Sequence, residues 1–550
     1  MNSFFIRNIS LICFAFLLIQ YSILAQNDEI AKTTKVLDLV MLQVELDLAA
    51  NNGQPDIIEI GEGVFDLSLL EQNLSYYPLP KPKVANEEQY PLTIVGAGVG
   101  KTIFDAGKKS RRLQISTSQL KDDIGANITV KGITFRNGGS GSDEPGLSIM
   151  TKGSTIEVRD CEFYGTNGSH GSTLIASTGT KEGSGSIRIF SCIFDSLRRT
   201  VKLTNFRAST FVEKSRFTNF RNYPALEIGN NLGFSYVSKC KFINNHSKRD
   251  APLNAFALSG GAIEINKCEF ENNSGTVSGA VRVAGREAKV KIIKNTFRGN
   301  RGSNGSGSTL ITNDGSGKIY VDRNLFKENF GSNQGGGLSI LTGGNKIAGI
   351  VDSKGSIGLY NNIFSKNRTP GDGGGVYIET WEGIVEIINN TLLENTTSTA
   401  PNRNAGAGLH LMTISNDATA VIYNNIFWKN KCKDKAGIDL LIDNDPDASA
   451  AGWLLEPDGI GANVIVSNNI VGKGSIKIAN TVDVKNQLNV DPKLNENFKL
   501  NSNSPAIDAG TKWTHGIFGA KDYTGKDRVV DGNGDGKAVV DIGAIEYRKK

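Results

Sequence analysis

Asn266-Lys267-Cys268-Glu269-Phe270-Glu271-Asn272-Asn273 is one rung of a repeat that runs through most of the chain. Variants stand at Lys239-Cys240-Lys241-Phe242 with Asn245, Lys294-Asn295-Thr296-Phe297 with Asn300, and Arg323-Asn324-Leu325-Phe326 with Asn329. Others follow at Asn361-Asn362-Ile363-Phe364 with Asn367, Asn389-Asn390-Thr391-Leu392 with Asn395, and Asn424-Asn425-Ile426-Phe427 with Asn430. Weaker copies place the aromatic at Phe135, Phe163, Phe194 and Phe217, and a last one puts Val471 there. Successive aromatic positions lie 23 to 44 residues apart. A short strand unit repeated with loops of variable length is how a solenoid reads, each unit burying its apolar face against its neighbours.

Each unit carries two strands. One ends in the rung, as in Lys289 to Phe297, where strict alternation puts Ile293, Asn295 and Phe297 on one side and Ile292, Lys294 and Thr296 on the other. The other is short and follows glycine, as in Gly279-Ala280-Val281-Arg282-Val283 and Gly374-Gly375-Val376-Tyr377-Ile378. In an all-parallel coil the inward side is apolar or paired, so the phenylalanines are expected to stack in an internal column. The asparagines three residues further on read as turn residues that tolerate unusual backbone angles and bond one another, with no chemistry of their own.

The 63 glycines against 14 prolines suit many short strands, and the net charge of +5 over 550 residues forms no basic block that would point to nucleic acid. Arg7 precedes an apolar run from Ile9 to Leu24 that ends at Ala25, so residues 1–25 read as a secretory signal and the protein as secreted, periplasmic or cell-surface. Cys161, Cys192, Cys240 and Cys268 share one rung position; buried thiols are expected there, although neighbouring strands lie close enough for disulfides. Residues 26–55 contain apolar positions from Val36 to Leu48 that fit a helix capping the open end of the core, and residues 56–484 are the repeat.

The coincidence of aromatic column and asparagine ladder resembles the right-handed parallel β-helix superfamily, which includes pectate-lyase-like proteins, over residues 56 to 480. The resemblance implies an all-β, right-handed parallel β-helix solenoid of about twelve coils at ~4.8 Å each, with an N-terminal helical cap and a C-terminal capping module. Residues 485–550, with Ser504-Pro505-Ala506-Ile507-Asp508-Ala509-Gly510 and Asp541-Ile542-Gly543-Ala544-Ile545-Glu546-Tyr547, look like the C-terminal module called choice-of-anchor Q, expected to close the far end of the rod.

Counting back from each aromatic aligns Ser148, Lys202, Glu227, Ala255, Arg282, Ile311 and Tyr377. With longer turns allowed, Ser339 and His410 join them and Asp439 lies beyond. They are expected to face outward in single file. Such a file suits an anionic polysaccharide, because β-elimination of a uronate needs a cation on the carboxylate and a base for the α-proton. Lysine or arginine commonly fills these roles in β-helix lyases, so the resemblance makes Lys202 and Arg282 the catalytic candidates. Tyr377 and His410 form a second pair able to exchange protons, with Glu227, Glu379 and Trp381 as substrate-binding candidates. A non-catalytic adhesin or matrix protein is the competing reading, and a monomer is expected. Asp531, Asn533 and Asp535 before Gly536 match the first half of an EF-hand-type calcium loop; Ile542 departs from it at the twelfth position and Asp541 sits one place early. The acidic stretch holding Asp443, Asp445, Asp447, Glu456 and Asp458 is a weaker calcium candidate.

Overall fold

The computed structural model describes residues 31–549 apart from 79–88, 110, 121–124, 139–145, 166–172, 180–184, 259, 314–316, 344–354, 381–382, 399–405, 414–417, 433–434, 437, 444–462, 473–475, 479–481 and 513–520. The expected signal at 1–25, Trp381, and Asp445, Asp447, Glu456 and Asp458 of the acidic stretch lie outside these. No helix among the described residues is long and apolar enough to cross a membrane.

The chain winds into a parallel β-helix. A 16-stranded first sheet and two 14-stranded sheets run the length of the rod, every neighbouring pair in them parallel. One coil shows the order: Lys289–Ile293 in the first sheet, Thr296–Arg298 in the third, then Ser308–Asn313 in the second. Among the described residues fourteen coils contribute to all three sheets, and at ~4.8 Å each they make a rod of about 65 Å. The rung motif leads to about twelve because Gly63–Asp66 and Thr102–Asp105 bring Phe65 and Phe104 into the column without its cysteines or asparagines.

The column forms as expected. From Phe135 to Phe364, successive rings lie 4.5–4.9 Å apart with planes within 12° of parallel. Leu392, Phe427 and Val471 continue it, all buried. The expected alternation through the rung fails at one residue. Lys294 has φ 57°, which turns the chain between the first and third sheets, so Ile292 rather than Ile293 points into the core while Asn295 and Phe297 also face inward. The same left-handed corner recurs at Lys239, Lys267, Arg323, Asn361, Asn389 and Asn424. A second corner falls two residues past the aromatic, at Asn272, Glu328, Lys366, Glu394 and Lys429. The unusual backbone angle thus sits beside the ladder asparagine rather than on it.

Two asparagine ladders run along these corners. Asn245, Asn273, Asn300, Asn329, Asn367, Asn395 and Asn430 are linked side chain to side chain at 2.9–3.0 Å, each Oδ1 taking the amide of the preceding copy. Asn295, Asn324, Asn362, Asn390, Asn425 and Asn469 repeat the pattern at the other corner. Cys161, Cys192, Cys240 and Cys268 hold this second position in earlier coils as buried free thiols. Burial pushes the Cys192 and Cys240 thiols up.

At the N-terminal end, the helix Leu39–Ala49 starts at Asp38, whose carboxylate caps Met41 N at 2.8 Å. Leu42, Leu46 and Ala49 close the core, while Val40, Val44 and Leu48 remain exposed on the outer side. At the other end Leu488 bridges Ile470, and the tail then lies back along the outer face of the third sheet. There Leu500, Ala506 and Ile542 pack on Ile426 and Ile470, and Ala544 and Ile545 pack on Ile363. The tail is fastened by the fully buried Arg528, which contacts the Glu546 carboxylate and donates to Asn361 Oδ1 at 2.7 Å and Ala544 O at 2.8 Å. Burial pushes the Glu546 carboxyl up to about 8 against the pull of Arg528.

Candidate functional site

The outward file exists, and strand register defines it. On the second sheet Lys202 pairs with Glu227, Glu227 with Asn254, Asn254 with Arg282, and Arg282 with Thr309. Thr309 pairs with Ser339, Ser339 with Tyr377, Tyr377 with His410, and His410 with Leu441. Three positions differ from the count along the sequence. Ala255 points into the core and Asn254 takes its place, because a turn one residue shorter or longer moves a strand residue to the opposite face. Ile311 lies two residues along, on the adjacent outward file that also carries Glu379, and Thr309 holds the predicted place. Asp439 is off the file: its carboxylate accepts from Asn430 Nδ2 at 2.6 Å and ends the first ladder, with burial pushing it up to about 6.

The file divides in two. From Lys202 to Asn254 it borders an open cleft of about 290 Å³, with Arg282 just past its lining. Lys202 Nζ stands 3.7 Å from Glu227 Oε1. Tyr223 is held between two guanidinium groups, Arg199 at 4.8 Å and Arg249 at 4.5 Å from its ring centre. Arg282 sits lower, 3.4 Å from Asp250 and 5.5 Å from the Phe256 ring centre. Its Nε has no hydrogen-bond partner among the described residues. Burial raises the Asp250 carboxyl and Arg282 opposes that rise. Arg199, Tyr223, Arg249 and Asp250 come from the loops just before the second-sheet strands Val201–Phe206, Leu226–Asn231 and Leu253–Leu258. Their distance from the rung varies with loop length, so no sequence count aligns them; the one sequence signal is their place a few residues before a file member.

Beyond Arg282 the file is covered. Thr309, Ser339, Tyr377 and His410 are all buried, His410 at 3% exposure. The loops that cover them include short strands of a fourth sheet, among them Arg301–Asn304, Phe330–Gln334 and Arg368–Thr369. Tyr377 donates to Glu379 Oε2 at 3.0 Å and meets the His410 ring edge-on at 5.4 Å. Burial raises the Tyr377 hydroxyl and the Glu379 carboxyl and lowers His410 to about 4, leaving the imidazole neutral. Among the described residues neither ring nitrogen of His410 has a hydrogen-bond partner, with Asp372 Oδ1 at 4.0 Å from Nδ1. Tyr377 and His410 are thus adjacent, as expected, and do not line the cleft occupied by Lys202.

Among the calcium candidates, Asp531 and Asn533 turn their oxygens onto their own loop: Asp531 Oδ1 accepts Gly534 N at 2.6 Å and Asn533 Oδ1 accepts Asp535 N at 2.8 Å. The Asp531 carboxylate also accepts Asp535 N at 3.1 Å and Gly536 N at 2.9 Å, and Asp535 Oδ1 accepts Lys537 N at 2.8 Å. Asp541 is not with them. It is buried, accepting Asp508 N at 2.7 Å and Tyr547 N at 2.5 Å, while Asp508 rather than Asp541 faces the loop and takes Asn533 N at 2.8 Å. Among the described residues no three His, Cys, Asp or Glu side chains are grouped to hold a metal ion.

A groove of about 830 Å³ lies elsewhere, between the third sheet and the tail.

No family model matches the chain, and no curated protein matches it. Solved structures with similar folds include a PL6 family polysaccharide lyase from Pseudopedobacter saltans, at 11% identity and TM-score 0.39 over 84% of this chain and 94% of that one. The periplasmic alginate epimerase AlgG is 10% identical with TM-score 0.35, over 82% of this chain and 88% of that one. A mannuronic acid specific polysaccharide family 6 lyase from human gut microbiota is 11% identical with TM-score 0.37, over 78% and 91%. At these values the likenesses assign no activity to this chain.

Proposed function

We propose that the protein is exported, acts as a monomer, and binds an anionic polysaccharide along the open cleft of the second sheet. The observation that carries this reading is the pair of guanidinium groups on Tyr223, beside Lys202, in a cleft open to solvent. Guanidinium and ammonium groups bind carboxylates, and the Tyr223 ring holds two guanidinium groups in place beside the ammonium of Lys202. Cleavage by β-elimination is the fuller form of the proposal. In it a base removes the proton α to the uronate carboxylate, cations hold the charge that develops, and the glycosidic C–O bond breaks. Lys202 and Arg282 are assigned the base and charge-holding roles, and Glu227 helps to place the sugar. Binding without cleavage is the second reading, favoured by the burial of Tyr377 and His410, which takes that proton-transfer pair out of reach of a polymer.

Lys202→Ala and Arg249→Ala are each expected to weaken binding of a uronate polymer by about three- to tenfold, and added salt to weaken it further. Calorimetry at two ionic strengths measures this, and unchanged affinity in both variants would refute the cleft. Incubation with a panel of uronate polymers, followed by the absorbance of the unsaturated product, separates the two forms. Product formation lost in Lys202→Ala and Arg282→Ala supports the lyase; tight binding with no product on any polymer leaves the binding protein.

The tail's likeness to choice-of-anchor Q is part of the proposal, as is calcium at Asp531, Asn533 and Asp535, with Asp541 withdrawn from the set. Millimolar calcium is expected to raise the melting temperature of the tail by a few degrees over the chelated protein, and Asp531→Asn to abolish the rise. Identical melting with calcium and with chelator removes the site.

A further inference from the structure

The groove between rod and tail is not used by the function proposed above. Its floor is the outer face of the third sheet, where Lys327, Ser365, Leu393 and Trp428 stand in register on successive coils. Beside them the left-handed corners project Lys366, Glu394 and Lys429 outward. The facing wall is the tail segment from Asp491 to Phe498, whose turn is braced from within: Asn495 Oδ1 accepts Asn497 N at 2.9 Å and Lys499 N at 3.1 Å. Leu494 and Leu500 bridge across its base. Phe498 holds φ 62°, uncommon for an aromatic residue, and is kept there by packing near Leu325, Ile363 and Tyr523. The wall is therefore formed before any ligand arrives.

Size and lining decide what fits. At about 830 Å³ the groove lies within the ~300–1,000 Å³ typical of ligand sites, and it lies at a junction between two parts of the chain, where such sites concentrate. The cleft on the second sheet is smaller. The lining offers half-buried Trp428 and Phe498, exposed Lys366, Lys429 and Lys493, and the exposed amides of Asn497, Asn501 and Asn503. Lys366 is answered by Glu394 at 3.7 Å and Lys327 by Glu328 at 3.6 Å, so the groove has no large excess of charge. An extended polyanion such as nucleic acid needs a basic track, which is absent from this lining. Aromatic rings set among amides, ammonium groups and carboxylates match a ligand with apolar ring faces and many hydroxyls.

We propose that this groove is a second saccharide site, binding an oligosaccharide against Trp428 with Lys429, Asn497 and Asn501 as hydrogen-bonding partners. It would hold a polymer on the side of the rod away from the cleft of the second sheet.

The test is calorimetric titration of the full chain with two probes, a neutral hexose hexamer and a uronate hexamer, which separates neutral from acidic ligands. Lys202→Ala/Arg249→Ala disables the cleft; Trp428→Leu and Lys429→Ala/Asn501→Ala disable the groove, the latter without touching the packing under the tail. At least one probe is expected to bind the cleft variant with wild-type affinity at the groove, and to lose about tenfold or more in both groove variants. The inference is overturned if neither probe binds the cleft variant, or if binding to it survives unchanged when the groove substitutions are added. Failure of the cleft itself reads differently, as wild-type binding by the cleft variant at every site that wild type shows.

Discussion

Arg528→Ala is expected to release the tail from the rod while leaving the coils folded. The guanidinium is fully buried against Glu546 and spans to Asn361, which itself donates to Asp322 Oδ1 at 2.9 Å. Removing it leaves the buried Glu546 carboxyl without its countercharge and with only Asp541 N, at 3.1 Å, as a donor, a loss of about 3–5 kcal/mol. What remains is the small apolar contact under Ile542 and Ala544 and a few bonds such as Asn389 Nδ2 to Asp541 O at 2.8 Å. Arg528→Lys should recover little, because one ammonium cannot reach Glu546, Asn361 and Ala544 together. Limited proteolysis with mass spectrometry reads the result: new cleavage after residue 489, with the coils still resistant. The same variant should lose binding at the groove, whose outer wall is the tail, and keep binding at the cleft. A tail as protected as in the wild type would refute the anchoring role.

Asn300→Ala should cost about 3–5 kcal/mol in the rod itself. The Asn300 Oδ1 accepts both Asn273 N at 3.0 Å and Asn273 Nδ2 at 2.9 Å, and its Nδ2 donates to Phe270 O at 3.0 Å. Alanine takes the side-chain partner from Asn273 N and Phe270 O and one of two bonds from Asn273 Nδ2, which keeps Phe242 O at 2.8 Å, and from Asn329 Oδ1, which keeps Asn300 N at 3.0 Å; each buried group left unpaired costs about 1–3 kcal/mol before relaxation. Cys268→Ala at the other corner is the control and should cost less, since the thiol makes only long, weak contacts, accepting Cys240 N at 3.4 Å and donating toward Val237 O and Asn266 O at 3.5 Å. Hydrogen exchange should show faster opening of the coils next to Asn300, because a solenoid is held by nearest-neighbour interfaces. Equal losses in the two variants would mean that filling the corner matters and bonding across it does not.

Much of the architecture is legible in the chain because the repeat is strong where the core is. A residue that must stack on its counterpart every coil is under the same demand each time, so Phe270, Phe297 and Phe326 announce the column and Asn273, Asn300 and Asn329 the ladder. The file from Lys202 to His410 is legible for the same reason, since its members are fixed relative to buried neighbours. The errors at Ala255, Ile311 and Asp439 fall where a turn gains or loses residues, which shifts side chains around the strand.

Sequence by itself thus determined the coil, its inward column and the outward identity of Lys202, Glu227, Arg282, Tyr377 and His410. Tertiary structure alone decided which of these a ligand can touch. Loops of one coil cover the file residues of the next, burying Tyr377 and His410. Other loops leave Lys202 open and bring Arg199 and Arg249 to Tyr223 from separate coils. The tail shows the same limit: Arg528 meets Asn361 across 167 residues, and the groove beside it is made from two stretches with no common pattern. Periodicity reports contacts that every coil repeats, whereas a site is built from contacts that occur once.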